Sequence, residues 1–497
     1  MVGMKGRPAQ AALSSFEKCE KKRIFVYMHS KETQSRTGFI AAALAFLGSC
    51  SFFLFAYPYH LMRREQQNLF LYDGEYIRET YRGFGFLGRF VSDFLEQFFL
   101  AAVPASLIVA LLLTGIGVVV YRISRHFLGK WPSLGIATLF FAWSFLRETG
   151  NLYLTRYTVA TLALLSLVLL ALQIKNVWLK PVAGALLVGF GIWAFGYPVH
   201  QIYGKAWSVP HFKYERVIGL DTETYRENWD KVLQLSKVDL FTEEASYCYN
   251  LALAMKGRLG DDLFNHSQNH HFTLLFPASS EQTVITNTMA GEAWFQLGDM
   301  TVAEQSAITS LQASPKHTGT RFLVRLARAN LISGEDGAAM KYLNILSKTL
   351  FYGKWARSMM PGRQDEAVRA QLSEAHARLA RKDIVHQLER PREQLLGLLE
   401  ADPANTIARN YLLCYDLLTY DLDTFMQDYT PDRIDARLYQ EAVLLWLTLQ
   451  GRLTPDEISR YGMDLSVSDR MNRFGMNPAR YKNTYWYYYL VAMNKQQ

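Results

Sequence analysis

The run FFLAAVPASLIVALLLTGIGVVVY, residues 98–121, contains no charged side chain and reads as one continuous apolar helix. A helix rises about 1.5 Å per residue, so roughly 20 apolar residues cover the hydrocarbon core of a bilayer. Four more segments come close to that length: 38–57 (GFIAAALAFLGSCSFFLFAY), 131–146 (WPSLGIATLFFAWSFL), 157–174 (YTVATLALLSLVLLALQI) and 181–197 (PVAGALLVGFGIWAFGY). From about residue 205 the pattern changes, because charges recur every few positions and the apolar residues become periodic. The expected fold class is all-α: about five transmembrane helices, then a helical-repeat region of α-solenoid type.

The chain has 497 residues, half of them hydrophobic and 14% aromatic, which excludes a mainly disordered protein. Its net charge of +8 does not point to nucleic acid, because the basic residues gather on no recognition helix and match no RNA-binding signature. They sit instead beside the apolar blocks. Lys18, Lys21, Lys22, Arg23, Lys31 and Arg36 precede the first block, Arg122, Arg125 and Lys130 follow the second, and Lys175 and Lys180 follow the fourth. Basic flanks mark the cytoplasmic side. An odd number of spans then leaves residues 201–497 in the periplasm, after a cytoplasmic extension (1–37) and a membrane domain (38–200) with an amphipathic periplasmic loop at 58–97. The expected location is a bacterial inner membrane, with the lipid bilayer as first partner. Residues 1–27 read as a polar extension, with Met28 as an alternative start. Cys50 ends a lipoprotein-like box (Leu47–Cys50), but the apolar run continues through Tyr57, which argues against cleavage. Cys19, Cys50, Cys248 and Cys414 form no CxxC pair; Cys248 and Cys414 read as buried free thiols, with a disulfide between them open only if the fold brings them together.

Within the C-terminal half, AWFQLGDMTVA (293–303), continuing to Pro315, resembles the tetratricopeptide pattern. That pattern places Trp294 and Leu297 at the end of a first helix, Gly298 in the turn, Ala303 at the close crossing and Pro315 at the junction with the next repeat. Ala307 and Ser310 occupy inward positions that it usually fills differently. A second copy carries Gly334 at the turn and Ala339 at the crossing. A weaker third covers 395–429, with Pro403 and Asn405 at its junction. Further pairs over 222–258 bring the total to about four to six, enough for neighbours to bury each other's apolar faces.

LYDGEYIRE (71–79) raises the question of catalysis. Asp73, Glu75 and Glu79 are acids, and Arg78, Arg82 and Arg89 offer a phosphate or headgroup site. The same residues read equally as a helix N-terminus with acids in its first turn, followed by an interfacial segment. His266 and His270, with His271, form the one histidine cluster. They are weak metal candidates for want of an HExxH spacing or a cysteine partner, and no metal or cofactor is expected. The run Tyr485–Tyr489 is expected to close the last helix pair.

EQQNLF (Glu65–Phe70), FLEQFF (Phe94–Phe99), NWDKVLQLS (Asn228–Ser236), NLALAMKGRLGDDLF (Asn250–Phe264), NLISGEDGAAMKYLNILSKTLFYGKWA (Asn330–Ala356) and NTYWYYYL (Asn483–Leu490) resemble an uncharacterised family of Gram-negative inner-membrane proteins. That family is a domain of unknown function with N-terminal spans and a tetratricopeptide-like C-terminal region. The resemblance implies a longer membrane half than this chain has and supplies no activity. The functional expectation is a membrane-anchored interaction scaffold or accessory subunit binding another envelope protein, an extended peptide or a glycan. The competing reading is an envelope glycosyltransferase, or a subunit of one, that takes a lipid-linked sugar and uses the acidic loop. A sensory or transport accessory role ranks third.

Overall fold

The computed structural model describes residues 37–150, 154–197, 209–238, 242–276, 283–314, 316–377, 379, 390–431 and 436–492, among which every regular element is helical. The chain divides into two compact units: residues up to 61 with 77–211, and residues 62–76 with 212–497. The chain therefore passes from one unit to the other three times.

The first unit begins with α1 (Thr37–Ala56), whose last turn is π-helical. After α2 (Pro58–Gln66) and α3 (Gly74–Thr80) it continues as α4 (Phe86–Glu96), α5 (Ala102–Phe127), α6 (Lys130–Glu148), α7 (Thr155–Leu172) and α8 (Leu179–Phe195). Helices α1, α5 and α7 are long and apolar enough to cross a membrane. The other two expected spans are helical but fall short of that test. α8 is too short, and α6 starts on Lys130 and ends on Arg147 and Glu148. In α5, Ala105, Val109, Leu113, Ile116 and Val120 are buried at helical spacing, while Val103, Leu107 and Leu111 on another face are exposed. Both faces are apolar, the pattern of a helix without a wet side. Polar groups turn inward. The Thr158 hydroxyl donates to buried Glu148, and the Tyr57 hydroxyl donates to the Thr149 carbonyl at 3.2 Å.

The second unit is a succession of helices: α9 (Phe212–Tyr225), α10 (Trp229–Ser236), α11 (Glu243–Met255), α12 (Leu259–Asp262), α13 (Val284–Leu297), α14 (Met300–Ala313), α15 (Thr320–Ser333), α16 (Asp336–Leu346), α17 (Gly353–Met359), α18 (Glu366–Ala377), α19 (Pro391–Ala401), α20 (Thr406–Leu418), α21 (Leu422–Asp428) and α22 (Arg437–Leu449), closed by three shorter or terminal helices. Consecutive members pack on each other through α13, α14, α15 and α16.

One turn recurs along this unit. After α13, Gly298 takes φ 100°, the Asp299 amide donates back to the Trp294 carbonyl at 2.9 Å, and the Asp299 carboxylate caps α14 at Val302 N, 3.1 Å away. A left-handed residue with this return bond satisfies helix-end carbonyls and reverses the chain. Gly334 repeats it after α15 (φ 79°, Glu335 N to Asn330 O 2.8 Å), and so does Gly257 after α11 (φ 68°, Arg258 N to Leu253 O 2.8 Å). Glu227 after α9 and Tyr420 after α20 adopt the same conformation without being glycine, with φ of 58° and 63°. The signature residues Trp294, Leu297, Ala303 and Ala339 are all buried, as are Ala307 and Ser310; Pro315 lies outside the described residues. Asn405 caps α20 at Ala408 N and donates its amide to the Leu297 carbonyl, both at 3.0 Å, which ties α20 to the end of α13.

Cys248 and Cys414 are buried free thiols, Cys50 is free and partly buried, and Cys19 lies outside the described residues. In the C-terminal aromatic run, the Trp486 indole donates to the Glu441 carbonyl at 2.7 Å, and the Tyr488 hydroxyl donates to Leu418 O at 3.0 Å, so the run packs on α22 and α20.

A pair of substitutions tests the turn. Gly298→Ala forces a Cβ into the left-handed region and is expected to cost about 1–2 kcal/mol. Gly337→Ala adds a methyl to helix α16, where the new Cβ meets nothing within 4 Å, and should gain about 0.5–1 kcal/mol. Thermal melts of the purified chain that moved in the same direction for both would refute the assignment.

Candidate functional site: a buried charge network holding residues 62–76

The densest polar chemistry of the second unit is internal. Asp221 of α9 accepts two hydrogen bonds from Arg321 of α15, Nη1 to Oδ2 at 2.5 Å and Nη2 to Oδ1 at 2.8 Å. The same guanidinium reaches Glu292 of α13 at 3.2 Å, and Arg325, one turn along α15, also pairs with Glu292. All four side chains are no more than 5% exposed. Two positive and two negative groups cancel, which is the condition for leaving water at tolerable cost. The rings of Tyr225 and Phe295 supply further contacts, with the Arg321 guanidinium 4.6 Å from the Tyr225 centroid and that of Arg325 3.6 Å from the Phe295 centroid. The Arg325 Nε and Nη1 have no hydrogen-bond partner among the described residues, and both rings lie within 6 Å of that guanidinium carbon. Burial lowers the Arg325 pKa, whereas for Arg321 the paired carboxylates outweigh burial and raise it.

Residues 62–76 thread into this network. Arg321 Nη1 donates to Gln66 Oε1 at 3.1 Å, and Gln66 Nε2 donates to the Thr222 hydroxyl at 3.3 Å. Glu65 is buried and accepts from the Thr320 hydroxyl at 3.1 Å and the Tyr352 hydroxyl at 3.0 Å. Backbone bonds fix the rest: Thr320 N to Asn68 O at 3.0 Å, and Tyr72 N to Lys348 O at 2.8 Å. Gly319 makes the approach possible, since a Cβ there would lie 2.8 Å from the Gln66 carbonyl oxygen.

The acids of LYDGEYIRE fall at the end of this strap. Asp73 accepts from the amides of Glu75 and Tyr76 at 3.1 and 3.0 Å and pairs with Lys348 at 2.7 Å. It thus starts α3 as an N-terminal cap, and the Lys348 ammonium, followed by the Tyr76 amide, holds its pKa below the usual value. Glu75, Arg78, Glu79 and Arg82 are exposed, and Arg89 donates to the Arg82 carbonyl at 2.6 Å. The structure brings Asp73 to Lys348, but it does not gather the three acids around one point.

The histidines likewise do not share a helical face. His266 lies in extended backbone after a 3-10 turn and packs edge-on to Tyr249, whereas His270 opens a second 3-10 turn with φ 54° and packs on His271. Burial pushes the pKa of His266 and of His271 down to about 4. No three His, Cys, Asp or Glu side chains among the described residues converge in a way that suits a metal ion.

Sequence reading missed the network itself. Its signal was faint: Glu292 is the lone charge of α13, but Asp221 shares α9 with Lys213, Glu215, Arg216 and Glu223, and Arg321 and Arg325 share α15 with Arg328. Charges so placed need partners when buried.

Glu65 gives a pH test. Burial raises its carboxyl from 4.5 to about 7, the Tyr352 and Thr320 hydroxyls pulling it only partly back. The folded chain therefore keeps a proton that the unfolded chain releases between those values, and stability falls as pH rises through that window. Glu65→Gln keeps an acceptor for both hydroxyls and does not titrate. Its stability advantage over wild type should grow from pH 4.5 to 7 and stay flat above, reaching about 3 kcal/mol. Asp416 and Glu441 are raised to about 7 by the same cause, so the difference between variant and wild type is the readout. An advantage independent of pH would sink the assignment.

Comparisons of the chain with curated proteins and with solved structures gave no match. One sequence family matches residues 33–204 and 198–492, nearly the whole chain, and the protein therefore belongs to this family of unknown function (DUF6057).

Proposed function

We propose that the protein is a multi-pass inner-membrane scaffold or accessory subunit whose tetratricopeptide-like helical unit lies in the periplasm and binds another envelope protein, an extended peptide or a glycan. The observation that carries this reading is the use made of the strap between the first apolar segments. Glu65, Gln66 and Asp73 are each taken up by bonds that hold residues 62–76 in the helical unit. A segment so used reads as a tether of a binding domain. Lys and Arg beside the apolar blocks support the orientation, and the repeated hairpins support a binding surface built by stacking. A cleft of about 300 Å³ beside Gly334, Arg369, Ser373 and His376 offers one such surface within the helical unit.

The test has two arms. A periplasm-active reporter fused after residue 300 should be active; silence there overturns the orientation. A photocrosslinking residue at Ser373 should capture a discrete envelope partner in cells, and Asp73→Asn with Glu75→Gln should leave the cell-surface glycan profile unchanged. Glycan lost with crosslinks intact would replace the scaffold with the glycosyltransferase reading.

A further inference from the structure

Within the first unit, α1 touches its neighbours at two levels and stands off between them. At one end Lys130 Nζ donates to the Thr37 hydroxyl at 3.0 Å. Toward the other end, Cys50 Sγ meets the Ser106 hydroxyl at 3.8 Å, and Phe53 packs with Phe99, Val109 and Leu113. Between these levels α1 presents Gly38, Ala41, Ala42 and Ala45, spaced i, i+3, i+4, i+7, with Phe39 and Leu44 flanking them. α5 and α6 face the same space with stripes of identical spacing, at 114, 117, 118, 121 and at 134, 137, 138, 141. The result is an apolar groove of about 680 Å³, within the size range of small-molecule sites. From residue 114 to residue 121 it runs about 10 Å along the helix axis.

One end of the groove is chemically distinct. Tyr121 and Arg122 line it, and Lys130, bonded to Thr37 next to Gly38, lies over the ring of Trp131, which is 70% exposed. Aromatic and basic side chains at one level mark the headgroup zone of a bilayer. Arg122 is exposed and pairs with no described carboxylate. A guanidinium at the mouth of an apolar groove matches a phosphate above an acyl chain.

We propose that this groove holds one acyl chain of an anionic phospholipid, with its phosphate on Arg122. The inference rests on α1, α5 and α6 being membrane-embedded, as the proposed function holds, and is independent of the side on which the helical unit lies.

The full chain, incorporated into vesicles of equal phosphatidylglycerol and phosphatidylcholine and then extracted into mild detergent, would be weighed by native mass spectrometry with its retained lipid. Wild type should retain one phosphatidylglycerol about fivefold to tenfold more often than phosphatidylcholine, the scale of one basic contact to an anionic headgroup. Arg122→Gln should abolish the preference. Ala42→Phe, which fills the groove, should abolish retention, while Ala42→Ser, which does not, should preserve it and so controls for folding. Equal retention of both lipids by wild type, a preference that survives Arg122→Gln, or a dimer without lipid that Ala42→Phe dissolves would each overturn the proposal. A chain that needs no detergent for extraction would instead overturn the membrane reading beneath it.

Discussion

The pairing of Arg321 with Asp221 and Glu292 organises the helical unit, because it forces three helices and the strap to agree on one arrangement. Arg321 spends its planar fork on Asp221, its remaining reach on Glu292 and a further donor on Gln66. A buried guanidinium is stable only when such partners are all in place, and loss of one partner from a buried pair typically costs about 3–5 kcal/mol. A strap held only by apolar contacts could slip by a residue, whereas one with Gln66 on Arg321 and Glu65 on Thr320 and Tyr352 has a single register.

This dependence clarifies why the acids that first draw attention are not the ones at the centre. Asp73 is at the margin of the network, capping a short helix and pairing with Lys348 on the surface. Glu65 and Gln66, eight and seven residues earlier, are the buried members. Carboxylates in a loop between apolar segments invite a catalytic reading. Here the nearest of them does the work of a helix cap and a surface pair, and burial raises the carboxyl of the buried one to about 7.

What the sequence revealed and what it hid divide along physical lines. Periodicity and length announce helices, so the apolar runs and the hairpins at 293–313 and 320–346 were legible, down to Gly298 and Gly334 at the turns. The same turn at Glu227 and Tyr420 was not, because glycine is the only residue whose identity advertises a left-handed backbone; elsewhere tertiary contacts impose it. Composition alone suggests five spans in the five apolar blocks, whereas three of the described helices are long and apolar enough to cross a membrane. The charges at the ends of α6 lower its mean hydropathy and α8 is shorter than the other three, which sets these two apolar helices apart from them. The destination of residues 62–76 was hidden for a different reason. Its partners outside the strap are 151 or more residues away along the chain, and no local pattern encodes a pairing at that distance.

Residues 62–76 belong to the helical unit through this network, and amide hydrogen exchange on the full chain in detergent reads that directly. The Tyr72 and Thr320 amides, bonded to Lys348 O and Asn68 O, should exchange as slowly as the core of α15, and Arg321→Leu should release both together. Rapid exchange at Tyr72 in the wild-type chain, with α15 still protected, would contradict the account.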